Sequence, residues 1–292
     1  MQAVFGEKSA LFLYKLTKSC YNINKQKSIH NGDFVLKISI LGSCSGTEPF
    51  LNRHHTAFAL ELGDRIYWFD AGEACSHTAH TMGLDLLRVS DIFISHAHMD
   101  HVGGLANLLW TIRKLSKVKK EQPRHGDIRV YMPNMKTWDG VLTILQQSEG
   151  NYENDYQTLA LPVEEGVLSE SPEIRVTARG NLHLKPIENT PQSFSFLIEA
   201  EGKRIIYSGD VKDLGELLPW LKEGCDLLLM ETGHHHPTEV CKRILNEGLA
   251  VGSLRFLHHG RDILYDYNGQ LKQCKEILPQ AAFCNDREVF EL

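Results

Sequence analysis

The sequence predicts an α/β fold in one main domain, with two sheet halves flanked by helices. Short apolar strand runs recur in two groups, amphipathic helical spacing lies between strands, and no linker or composition break cuts the chain after residue 33. At 292 residues, 42% hydrophobic and 23% charged, the chain is long enough to bury a substantial core. Only 23 glycines and 10 prolines are present, which excludes a fibrous or disordered chain, and no apolar run approaches the roughly 20 residues of a membrane span.

The elements follow in order. Residues 1–33 lack strand periodicity and end in the turn signal Asn31-Gly32-Asp33, so they read as an N-terminal extension to a domain of 34–292. Residues 34–41 alternate as a strand, and 57–62 and 65–69 form a hairpin about Gly63-Asp64. A buried strand over 91–95 precedes a helix over 102–117, in which Leu105, Leu108, Leu109, Ile112 and Leu115 share one side. Residues 128–132 form the next strand, and the acidic stretch 147–158 reads as a surface loop. A second strand group covers 173–177, 193–198 and 204–207, with a tight turn at Glu201-Gly202. Strands over 226–230 and 254–257, with a helix over 237–249 between them, complete the set.

The seven cysteines are scattered and never form CxxC, so neither a disulfide framework nor a cysteine zinc site is expected, and a reducing cytoplasm is the default compartment. The apolar stretch 10–14 runs straight into Lys15 and Lys18 and does not read as a secretory signal. A net charge of −6 argues against a surface built for long polyanions. Six basic residues between Arg113 and Arg124 face the single acid Glu121, and a solvated helix end is the favoured reading of that cluster. Histidine is the compositional surprise, at 15 copies.

His96-Ala97-His98-Met99-Asp100-His101 follows the apolar strand as HxHxDH. Three imidazoles and a carboxylate so close together cannot all be satisfied in a core, because each buried ring needs partners at both nitrogens. Imidazole and carboxylate without thiolate suit zinc, with manganese or iron as alternatives, and two ions use the four groups better than one.

These residues resemble the metallo-β-lactamase superfamily, and within it the ribonuclease Z and phosphodiesterase branch. Leu41-Gly42-Ser43 with Gly46-Thr47, then Phe69-Asp70-Ala71-Gly72-Glu73, then Ile94 to His101 with Gly103-Gly104-Leu105 carry the likeness, which extends from residue 34 to about 292. The resemblance implies a four-layer αββα sandwich of two mixed sheets. It implies two divalent ions, His96 and His98 on the first, Asp100 and His101 on the second, Asp210 of Ser208-Gly209-Asp210 bridging them, and His258 rather than His259 as the last ligand. For the remaining ligand His183 competes with Asn189, and His183 is preferred because amide oxygen binds zinc poorly beside imidazole. Asp70 is expected to accept a hydrogen bond from a ligand histidine.

The resemblance further implies a hydrolase that attacks a phosphodiester with metal-activated water. Asp100 would accept or orient the proton, and His236 would protonate the leaving oxygen with Glu231 as its orienting partner. The substrate is read as a small or cyclic phosphodiester or an RNA 3′ end. Ribonuclease Z proteins carry a glycine- and proline-rich arm for tRNA, and here the corresponding stretch holds the acidic loop instead. The alternatives are a thioester, lactone or β-lactam hydrolase on the same fold and a metal-binding protein with a degenerate site. A homodimer is implied by resemblance, and no membrane partner is expected.

Overall fold

The computed structural model describes residues 36–119, 126–148 and 152–292. The reading of 1–33 as an extension, and part of the basic run to Arg124, lie outside them. The first half of the chain gives β1 (Lys37–Gly42), β2 (Ala57–Leu62), β3 (Arg65–Phe69), α1 (Cys75–Thr81), β4 (Val89–Phe93), α2 (Met99–Val102), α3 (Leu105–Val118), β5 (Ile128–Met132), α4 (Met135–Ser148) and β6 (Thr158–Pro162). The second half gives β7 (Gly166–Glu170), β8 (Ile174–Gly180), β9 (Phe194–Ala200), β10 (Lys203–Tyr207), α5 (Leu218–Leu221), β11 (Cys225–Thr232), α6 (Pro237–Asn246), β12 (Val251–His259), α7 (Arg261–Tyr265), α8 (Tyr267–Ile277), β13 (Ala281–Phe283) and β14 (Val289–Glu291).

Two seven-stranded sheets result, ordered β14-β1-β2-β3-β4-β5-β6 and β13-β12-β11-β10-β9-β8-β7. In each, an antiparallel run gives way to parallel strands, beginning at β3–β4 in the first and β10–β11 in the second. The mixed pattern follows from the connections: Gly63-Asp64 and Glu201-Gly202 are short enough only for hairpins, whereas the parallel pairs return through helices. Period-two alternation then divides the apolar side chains between two faces. In β3, Tyr67 and Phe69 enter the core between the sheets, while Ile66 and Trp68 enter the core beneath the outer helices. Leu105, Leu108, Leu109 and Ile112 of α3 close the outer core of the first sheet, and Val240, Cys241 and Ile244 of α6 close that of the second. The layers are therefore helix, sheet, sheet, helix.

A row of rings crosses the central core. Phe58 stacks on Phe69 at 4.8 Å, Phe69 on Phe93 at 5.0 Å and Phe93 on Tyr131 at 4.7 Å. Each pair is also a direct cross-strand pair, so the stack fixes the register of β2 to β5. Such pairs contribute about 0.5–1.5 kcal/mol each beyond their buried area. Asp70 follows Phe69 directly and Ser95-His96 follows Phe93 after one residue, so this rigid row positions the loops that carry the chemistry.

The structure divides the helix expected over 102–117 at Gly103-Gly104, where the Gly104 amide donates to Ala71 O at 2.7 Å instead of continuing the turn. The stretch read as a loop over 147–158 begins in α4 and ends at β6, and Tyr152 and Tyr156 pack on the outer core.

Candidate metal centre

The chemistry-bearing residues stand at the carboxyl ends of strands, on loops that the sheets bring together. His96, His98, Asp100 and His101 follow β4, Asp210 follows β10, Glu231 ends β11 and His258 ends β12. His183 arrives on the loop after β8, held by its amide on Asn181 Oδ1 at 3.2 Å, the Leu184 amide on Ser193 Oγ at 3.0 Å and Asn181 Nδ2 on Ser195 Oγ at 3.1 Å. Asn189 lies on the turn joining Ile187 to Thr190 and stays exposed outside the cluster.

Two donor groups share one carboxylate. His96, His98, His183 and Asp210 offer ligand atoms within 4.8 Å of one another, as do Asp100, His101 and His258. Asp210 Oδ2 lies 3.7 Å from His96 Nε2, 3.7 Å from His183 Nε2 and 3.3 Å from His258 Nε2, and its Oδ1 lies 3.4 Å from His101 Nε2. Asp100 Oδ2 is 3.1 Å from His258 Nε2 and 3.4 Å from His101 Nε2. His96 Nε2, His101 Nε2 and Asp210 Oδ1 are buried without a hydrogen-bond partner, a costly arrangement unless a cation accepts their lone pairs. The residues therefore fit a pair of divalent ions.

The far sides of the rings explain which nitrogens face inward. Asp70 Oδ2 accepts from His101 Nδ1 at 2.8 Å, from Ser95 Oγ at 2.8 Å and from the Tyr207 hydroxyl at 2.5 Å, while its Oδ1 accepts from the Ser95 amide at 2.6 Å. With its proton spent on Asp70, Ser95 Oγ accepts from His96 Nδ1 at 3.1 Å. These bonds direct Nδ1 of both rings outward and turn Nε2 to the centre, so that a cation there would be met by Nε2 once His101 gives up its second proton, a carboxylate–histidine arrangement that raises ligand basicity.

Burial, then His101, holds His96 well below its ordinary pKa, so it stays neutral. Burial opposes charge on His101 and His258, but Asp210 outweighs it, and His258 is pushed up to about 9. Against its own burial, Asp100 is held far below the carboxylate range by His101 and His258, and Asp210 likewise by His258 and His101.

Backbone conformation does part of the aiming. Between Glu231 and Thr232 the β11–β12 register shifts, so Glu231 pairs with Leu257 and Thr232 with His259. His258 is the extra residue, with φ +55°. The bulge turns it into the centre and sends His259 the other way, where Nε2 donates to Cys284 O at 2.8 Å and Nδ1 meets Thr232 Oγ1 at 3.2 Å. Asp70 is also left-handed, at φ +52°. Such conformations cost a non-glycine residue about 1–2 kcal/mol, which the surrounding bonds must offset. Gly233 is required by space, since a Cβ there would stand 2.5 Å from His258 Nδ1 and 3.0 Å from Ser45 Cβ.

His236, read from the sequence as the proton donor, is the N-cap residue of α6, with Nδ1 bonded to Thr238 Oγ1 at 2.9 Å and Nε2 3.8 Å from Asp262, and it is not among the clustered donors. His234 stands at the centre instead, its Nδ1 3.1 Å from Glu231 Oε1 and 3.8 Å from Asp210 Oδ2, its ring over His258 and His183. Glu231 Oε2 also accepts the His234 amide at 2.9 Å. Glu231 therefore orients His234, and burial notwithstanding, the hydrogen bond from His234 and the nearby His258 ring hold its carboxyl at about 2. The Glu-x-x-His spacing, which lets one carboxylate take both the amide and the ring of the third residue on, is the signal in the sequence that marks His234.

A cavity of about 290 Å³ opens over these donors, lined by Ser45, Thr47, His98, Asp210, His234 and Arg261 among others.

A family model described as "Anti-Pycsar protein Apyc1" matches residues 36–290. The Ribonuclease Z of Methanothermobacter thermautotrophicus is 23% identical over 249 residues, 85% of this chain and 71% of that protein. Among solved structures, the metallo-beta-lactamase fold protein YhfI from Bacillus subtilis superposes with a TM-score of 0.66 at 16% identity, over 88% of this chain and all of that one. Human tRNase Z, short form, gives 0.64 at 18% identity, over 87% and 98%. The two mixed sheets and their flanking helices are the metallo-β-lactamase fold.

Proposed function

The chain belongs to the family described as Anti-Pycsar protein Apyc1, and from that premise and the donor cluster we propose that it is a metal-dependent phosphodiesterase. Asp210 carries the reading: one buried carboxylate whose two oxygens face two histidine sets, each with an unpartnered Nε2 turned toward it. His96, His98, His183 and Asp210 would hold one cation, and Asp100, His101, His258 and Asp210 the other. Two cations so held would lower the pKa of a water and neutralise the phosphate. Asp100 accepts or orients the proton of the attacking water, and His234, oriented by Glu231, gives a proton to the leaving oxygen.

Zinc suits the donor set, with manganese or iron as alternatives. The cavity, at the small end of ligand sites, and the net charge of −6 favour a small or cyclic phosphodiester over an RNA 3′ end. Described cysteines that are free suit a cytoplasmic protein. The family match from residue 36 supports a domain of 34–292 with an N-terminal extension, and a homodimer carries over from the resemblance.

The test is hydrolysis of bis(p-nitrophenyl) phosphate by the metal-loaded protein beside a thioester and a β-lactam. Diester turnover that a chelator removes is expected. Turnover of the acyl substrates alone overturns the reading.

A further inference from the structure

The loop after β1 and the start of α7 face each other across the mouth of the cavity. Arg261 is the one lysine or arginine among the described residues that line it. This cation is already engaged: Nη2 donates to Glu48 Oε2 at 2.5 Å and Nε to Oε1 at 3.4 Å. Tyr265, one turn along, donates its hydroxyl to Glu48 Oε1 at 3.2 Å, and Phe50 meets the Tyr265 ring edge-on at 5.4 Å. Glu48 and Arg261 are 48% and 60% exposed, so a ligand anion that takes Arg261 from Glu48 gives up a modest charge contact.

We propose that Glu48 sets the charge of the substrate this cleft accepts. By engaging Arg261 it leaves the floor of the cavity to a single phosphate and withholds the neighbouring cation from a second one. The substrate class is then a diester carrying one phosphate, and molecules with an additional phosphate near the scissile one are disfavoured because Arg261 is held by Glu48 and not free to receive it. The inference rests on the phosphodiesterase reading above. Glu48 acts through Arg261 and is a positioning residue.

Thymidine 5′-(p-nitrophenyl phosphate) and the same compound bearing a 3′-phosphate differ by that one group. In Glu48→Gln the kcat/KM of the second relative to the first rises about fivefold, the worth of an exposed charge contact. The gain enters through KM, fades in about 0.5 M salt, stays absent in Glu48→Asp, and disappears when Arg261→Gln is added. Glu239→Gln, which breaks an exposed pair with Lys242 on α6, leaves the ratio alone. Calorimetric binding of thymidine 3′,5′-bisphosphate against thymidine 5′-phosphate follows the same pattern. An unchanged ratio in Glu48→Gln, or an equal gain without Arg261, overturns the inference. If the wild type turns over neither diester, the phosphodiesterase reading fails, and the binding ratio still decides the role of Glu48.

Discussion

Replacing His234 with alanine removes the imidazole that Glu231 aims into the centre while leaving the donor atoms of His96, His101 and Asp210 in place. A positioned general acid contributes about 10²–10⁴ in rate, or about 3–5 kcal/mol. The His234 side chain is 45% exposed, so water can partly replace it, which places the expected loss near the lower end, about 10²-fold in kcat. The size of the loss must depend on the leaving group. A p-nitrophenolate departs without a proton, whereas the alkoxide of a 3′,5′-cyclic nucleotide needs one, so the loss should be large for the second substrate and small for the first. Glu231 holds the His234 ring above its ordinary pKa of 6.5 through their hydrogen bond. An acid of this kind fails as pH rises through its pKa, so the alkaline limb of the rate profile should move to lower pH in Glu231→Gln. Steady-state kinetics on both substrates, with His236→Ala in parallel, decides the matter. A His234→Ala enzyme with full activity on the cyclic nucleotide, or an equal loss in His236→Ala, refutes the assignment.

Two further outcomes follow from the same geometry. Asp210→Asn weakens one of the contacts that each donor set shares, and metal analysis after gel filtration should fall from about two ions per chain to one or none; two retained ions would contradict the bridging role. His259 bears on stability. Burial holds its ring at about 3, below the 6.5 of an unfolded histidine, so the unfolded chain binds the extra proton. Its contribution is complete above pH 6.5 and is lost as pH falls from there toward 3. Between pH 7 and 5 the loss is about 2 kcal/mol, and urea unfolding of His259→Gln should show a correspondingly smaller drop than the wild type.

The strands were legible where apolar alternation is bounded by a turn signal. The hairpin 57–62 and 65–69 and the strand 128–132 stand at the expected residues, because Gly63-Asp64 and the flanking polar stretches leave no other register. Other elements were less visible. In α4 the buried Trp138, Val141 and Leu145 are interleaved with residues that stay exposed, so the stripe is thin. β14 is three residues long and gains its place by pairing with β1 at the other end of the chain, a long-range bond that no local pattern announces. The edge strands β6 and β7 have mostly partly exposed faces, which removes the alternation that a half-buried strand shows.

The site divides along the same line between local and long-range causes. HxHxDH was legible because three imidazoles and a carboxylate on one short loop have few satisfactory structural uses. His258 and His234 each sit in a run of adjacent histidines, where composition offers no choice between neighbours. Backbone geometry makes the choice: a bulge opposite Glu231 turns His258 inward, and Gly233 leaves room for it where any Cβ would collide. The same Glu231 takes the amide and ring of His234, so the residue three positions on is drawn to the centre while His236, past the reach of that carboxylate, caps the next helix. Glu231 is thus the common cause of both selections. Removing its carboxylate should disturb the His258 and His234 rings together, so Glu231→Gln should lose metal affinity and shift the alkaline limb set by His234 to lower pH, whereas His234→Ala should abolish that limb and keep the metal.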